Sequence, residues 1–107
     1  MALYPSTTTS LTDLTAAGTT NSVQVSSQTF TFQVTVSSIG TNVVLRFEGS
    51  LTNQDWFNLD SSEADTTITA DGTTGYAVSD TPVEFVRVRL VSLSGGTPTV
   101  ATTIGAA

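Results

Sequence analysis

The sequence predicts an all-β protein: an antiparallel β-sandwich of about seven to eight strands, jelly-roll or immunoglobulin-like, preceded by an extended N-terminal arm. Three observations lead there. Apolar residues alternate with polar ones at period two through most of the chain, turn-forming clusters break these runs at short intervals, and no segment carries a helical period. With 107 residues there is room for one domain and one modest core.

Residues 1–22, "MALYPSTTTSLTDLTAAGTTNS", are read as the arm, and residues 23–107 as the sandwich. The arm is rich in Thr, Ser and Ala, with isolated apolar anchors at Leu3, Tyr4, Leu11 and Leu14. These are too few to order the segment by itself, so it is expected to lie along something else, with the four anchors filling pockets on a partner.

From Val23 the period changes to two. Phe30, Phe32, Val34 and Val36 share a face opposite Thr31, Gln33, Thr35 and Ser37, which predicts a half-buried strand. Ile39-Gly40-Thr41-Asn42 is expected to be a turn. Val43, Leu45 and Phe47 then alternate with Val44, Arg46 and Glu48. A polar tip, "TNQD", followed by Trp56-Phe57-Asn58-Leu59 predicts a hairpin. Short strands are expected in "TTITA" and around Tyr76 and Val78. "VEFVRVRLVSL" is the longest apolar segment, with Val86, Val88 and Leu90 opposite Arg87 and Arg89. "SGGTP" predicts another turn, and "TVATTI" a last strand.

The inventory of reactive groups is short. The chain has no cysteine and no histidine, and its only cationic side chains are three arginines. Ser-His and Cys-His nucleophile pairs, a Schiff-base lysine and a phosphate-loop lysine are thereby excluded, and zinc lacks its usual ligands. Paired carboxylates could in principle cleave glycosides, but nothing in the sequence places two of them in one cleft. No enzyme and no cofactor is expected. A net charge of -6 repels nucleic acid and anionic membranes, so neither is an expected partner. No apolar run approaches the ~20 residues that span a bilayer. The N-terminal residues show neither a basic nor an apolar signal region, which predicts synthesis and folding in a cytoplasm.

Three groups of residues are candidate sites. Arg46 and Glu48 lie two apart on one strand, and Arg87 and Arg89 repeat that spacing on another. They predict an Arg-Glu ladder across neighbouring strands, or a row of arginines that meets a partner's carboxylates bidentately. Trp56, with Asn53 and Asp55 beside it, is either a cap on the core or a platform on which a sugar stacks. Asp60, Glu63, Asp65, Asp71 and Asp80 fall in loops, where oxygen-rich turns can hold calcium, but the spacing matches no EF-hand, and solvated turn acids are the ordinary reading.

With these residues laid out, "SIGTNVVLRFEGSLTNQDWFNLDSS" and "VEFVRVRLVSLSGG" resemble a set of small structural proteins of tailed bacteriophages. In that set a V-x-R-x-E-G-S strand leads through a polar turn to W-F-x-L, and a V-R-V-R strand returns alongside. The likeness runs from about residue 38 to residue 96, and the tip departs from it, with "TNQD" in place of Asp-Gly. The resemblance implies a capsid decoration (cement) protein, with Arg46, Glu48, Gly49 and Trp56 as framework. Its implied partner is the major capsid protein, and its implied place the outer surface of the virion, after synthesis in the host cytoplasm. Copies are expected as homo-oligomers, often three around a local three-fold, each weak contact strengthened by multivalency. The same signature occurs in fibre and spike modules, so a glycan- or receptor-binding module is the alternative. A bacterial surface adhesin is a third.

Overall fold

The computed structural model describes residues 7–25, 28–60 and 62–106. These form eight strands: β1 (Thr7–Ser10), β2 (Gly18–Thr19), β3 (Val23–Gln24), β4 (Phe30–Ser50), β5 (Phe57–Asn58), β6 (Thr66–Ile68), β7 (Gly72–Val78) and β8 (Phe85–Ala106). Every pairing is antiparallel, and all eight strands belong to one sheet.

Its spine is the pair β4 and β8, in register from Phe30 opposite Ala106 to Ser50 opposite Phe85. β7, β6 and β5 line the other edge of β4 in succession, and β3, β2 and β1 line the other edge of β8. The expected hairpin is present, with Glu48 opposite Asn58 and Gly49 opposite Phe57.

Two expected turns are absent, because the chain bends there without leaving the sheet. Ile39–Asn42 lies inside β4, and Ser94–Pro98 inside β8. The register slips between Ser37 and Ile39 and again between Ile39 and Asn42. Ser38 takes a φ of 55°, and across the ladder Gly95 and Gly96 take 68° and 64°. Bulged positions and left-handed glycines sharpen a strand's bend while pairing resumes on either side.

The bend changes the predicted architecture. Phe32 and Phe47 lie fifteen residues apart on β4, about 50 Å in a straight strand. Their ring centroids are 4.8 Å apart, and Tyr76 of β7 stacks on Phe47 at 4.4 Å and 8°. The sheet has therefore folded its two halves face to face. A sandwich of the immunoglobulin or jelly-roll kind has two separately bonded sheets; here one continuous sheet curls on itself as a half-barrel, because the spine strands bend at residues 38–42 and 94–96 and do not end there.

The core lies between the two halves. The first contributes Phe30, Phe32, Val34, Val36, Val100 and Ile104, and the second Val43, Leu45, Phe47, Val86, Val88 and Leu90. These are the residues that the period-two pattern turned inward, at about 1.5–3 kcal/mol for each buried large side chain.

The N-terminal segment departs from the expected arm. Its described part is sewn onto β8: Thr7–Ser10 pairs with residues 103–106, Leu14 bridges Val100, and Thr19 lies opposite Arg89. Leu11 and Leu14 are buried in the chain's own core at 5% and 8% exposure. They are core residues, not anchors for a partner, and the boundary expected at residue 22 does not separate an arm from a domain. Leu11 and Leu14 lie three apart, and their amides donate to the carbonyls of Thr102 and Val100 along the edge of β8. Leu3 and Tyr4 lie outside the described residues.

Candidate functional site

The second half of the sheet carries a charged row on its outer face. Residues 45, 47, 86, 88 and 90 point inward, so alternation turns Arg46, Glu48, Arg87 and Arg89 outward. Register puts Arg46 opposite Arg89 and Glu48 opposite Arg87. All of the chain's arginines therefore meet on one face of a protein with a net charge of -6.

Glu48 is the hub. Arg87 Nε donates to its Oε1 at 2.7 Å, and Arg89 Nε donates to its Oε2 at 3.1 Å. The Glu48 side chain is only 5% exposed, against 18% for Arg87 and 38% for Arg89. Two charge-assisted bonds to a carboxylate so enclosed replace the water it has lost.

Arg46 does not join this pair, as a single Arg-Glu ladder would require. Its Nε and Nη2 donate to Oδ1 and Oδ2 of Asp65 at 2.8 and 3.2 Å. This forked bond holds the Asp65 carboxyl below the usual carboxylate range, and the Arg46 guanidinium correspondingly above its own. Asp65 reaches it because Thr66 pairs with Leu45. The loop before it is closed by Asn58 Nδ2 donating to the Ala64 carbonyl and by Asp60 accepting from the Ser62 amide and hydroxyl. Those bonds from Ser62 also lower the Asp60 carboxyl.

Trp56 is not in the core. It is half-buried on the outer face, where Arg87 lies 4.1 Å from its ring centroid. One π face is thereby occupied by a cation, worth about 0.5–2 kcal/mol. Asn53 and Asp55 are exposed at the hairpin tip. That tip is built by Ser50 Oγ accepting from the amides of Thr52 and Asn53, and by Thr52 Oγ1 accepting from those of Gln54 and Asp55. Asn53 takes a φ of 63°, a conformation that Asn tolerates.

Between these groups runs an open groove of about 680 Å³, bordered by Ala17, Gly18, Arg46, Glu48, Trp56, Arg89, Leu90 and Val91. Sequence reasoning found the charged members and Trp56. It missed Asp65 as the partner of Arg46, and it missed Ala17, Gly18 and Val91, which reach the site only through pairing and chain path.

The loop acids do not converge. Asp65 binds Arg46, Asp60 closes its own turn, and Asp71 Oδ1 accepts from the Ile39 amide at 2.9 Å. Among the described residues no group of three acids, histidines or cysteines is placed to hold a metal ion.

No protein-family model matches this sequence, and a search of curated proteins finds no match. Among solved structures, the crystal structure of the SPBc2 prophage-derived protein YomS is similar, with a TM-score of 0.63 over 99% of both chains. Sequence identity is 14%. The likeness in fold runs through nearly the whole of both chains.

Proposed function

We propose that this chain is a non-catalytic structural protein of a tailed-phage particle, decorating the head as a cement protein that binds the major capsid protein. The observation that carries the reading is the end-to-end fold likeness to a prophage-derived protein. The strand signature over residues 38–96 and the lack of histidine, cysteine and lysine point the same way. In this reading the copies sit on the outer surface of the virion as homo-oligomers such as trimers, after synthesis in the host cytoplasm. The acidic surface suits high local concentration without association with nucleic acid or membrane.

The test is to mix purified protein with expanded heads and with fibre-bearing tails of the encoding phage, followed by sedimentation and particle reconstruction. Density on heads at lattice positions supports the reading, and retention on tails alone overturns it. Deleting residues 1–20 is unsuitable as a test of an arm, since it would strip β1 and two core leucines from the fold.

A second reading, a glycan- or receptor-binding module of a fibre or spike, is favoured by one observation. Trp56 stands outside the core, near exposed Asn53 and Asp55. Its cost is that Arg87 covers one ring face. Loss of glycan-array binding in Trp56→Ala at near-normal melting temperature would support it, and no glycan binding by the unaltered protein would end it.

A further inference from the structure

Arg46 and Arg89 face each other directly across the β4–β8 ladder. Like charges in that relation destabilise a sheet unless something lies between or above them. Glu48 serves Arg89 through Nε alone, and Asp65 takes Nε and Nη2 of Arg46. Both guanidinium groups border the groove and have N–H groups left over from these bonds, on side chains 35% and 38% exposed. We propose that this groove binds a single carboxylate, presented by an acidic segment of a partner protein, between Arg46 and Arg89.

Three features select that ligand. First, the three arginines bond only two carboxylates, Glu48 and Asp65, while Glu63 acts on Arg46 through space alone. That matches a monoanion, while a phosphate dianion or a nucleic-acid backbone would also meet the two fixed carboxylates. Second, every polar side chain on the groove's border belongs to an Arg or a Glu except the Trp56 indole. No Ser, Thr, Asn or Gln is there to recognise sugar hydroxyls. Third, Val91, exposed at 36%, and Trp56 offer apolar contact for the stem of a Glu or Asp side chain beside its head group. Bidentate capture by guanidinium supplies the direction.

This deepens the head-decoration reading and rests on it only for the identity of the partner. The full chain, labelled with ¹⁵N, is titrated with a Gly-Glu-Gly-Glu-Gly peptide, with its Gln counterpart and with inorganic phosphate. Signals followed are the Arg Nε–H groups and the Trp56 indole N–H. The Glu peptide is expected to shift Arg46, Arg89 and Trp56 saturably, and the Gln peptide to leave them in place. Arg89→Gln is expected to weaken binding about tenfold or more, as loss of a charged hydrogen bond does. Because Arg89→Gln also loosens Glu48, Val91→Glu serves as a second variant, placing repulsion at the rim without touching the ladder. It too should weaken binding about tenfold or more.

Equal response to the Gln peptide, stronger binding of phosphate, or unchanged binding in Val91→Glu would each overturn the proposal. Head binding without a carboxylate response would sink this inference and leave the decoration reading standing. A carboxylate response in a protein that ignores heads would do the reverse.

Discussion

Gly40 of β4 lies backbone to backbone against Gly96 of β8. A Cβ on Gly40 would fall on the carbonyl carbon of Gly95 and the amide nitrogen of Gly96, and a Cβ on Gly96 would reach 2.7 Å from the Gly40 Cα. The approach is possible only because neither residue has a side chain, and it is the point at which the sheet folds over. Gly40→Ala is expected to lower stability by about 2–3 kcal/mol, as overpacking against rigid backbone does. Gly75→Ala is the control, since its Cβ would meet only the Phe32 carbonyl oxygen at 4.0 Å. Its urea midpoint should stay within about 0.5 kcal/mol of the parent or rise slightly. Equal losses in both would remove the bend from the account.

Thr102 is an inward-facing core residue at 2% exposure whose hydroxyl has no hydrogen-bond partner. Leaving a buried hydroxyl unpaired costs about 1–3 kcal/mol, and valine has nearly the same shape. Thr102→Val should therefore raise stability by about 1 kcal/mol, seen as a higher melting temperature. A drop on substitution would mean that the hydroxyl is satisfied in solution.

Glu48 holds Arg87 and Arg89 together from a nearly buried position. Glu48→Ala leaves two guanidinium groups without their shared anion and is expected to cost about 3 kcal/mol in chemical denaturation. Exchanging Glu48, Arg87 and Arg89 together for well-packed apolar residues should cost less than Glu48→Ala alone, since no uncompensated charge remains. A triple variant weaker than the single would contradict that.

Asp65 gives the stability a pH dependence of definite sign. Its carboxyl is lowered by the forked bond from Arg46, so its contribution is complete above the unfolded value of about 3.9. That contribution is lost as pH falls through the lower folded-state value. Both partners are partly exposed, which limits the effect to about 0.5–1 kcal/mol. Asp65→Asn should lower stability at pH 7 by that amount and flatten the loss below about pH 4 relative to the parent. Parallel curves for the two proteins would show that the bond contributes nothing.

Trp56, the only tryptophan, reports on the face it shares with Arg87. Arg87→Met should change its fluorescence, because the cation over the ring is removed. Trp56→Ala should cost about 1 kcal/mol, the scale of a half-exposed cation–π contact plus partial burial. A loss above about 3 kcal/mol would return Trp56 to the core.

Much of the site was legible because register follows from alternation. Arg46, Glu48, Arg87 and Arg89 had to share a face with one another once their apolar neighbours faced inward, and the hairpin at "TNQD" followed from its turn residues. Asp65 was not legible, since a loop acid finds its arginine only when β6 has docked on β4. Leu11 and Leu14 looked like anchors for a partner because their segment has few apolar groups; the edge of β8 supplies what the segment lacks. Leu3 and Tyr4, expected to act with them, are not among the described residues.

The amino-acid order by itself determined most strand segments from residue 23 onward, their inward faces and the concentration of cationic charge, because each depends on a two-residue period or on composition. Tertiary structure alone decided that Ile39–Asn42 and Ser94–Pro98 bend within continuous strands, that one curled sheet replaces two, and which acid each arginine holds. A glycine pair reads the same at a turn and at a bend. Only a partner strand bending at the same place, close enough to exclude any Cβ, separates the two.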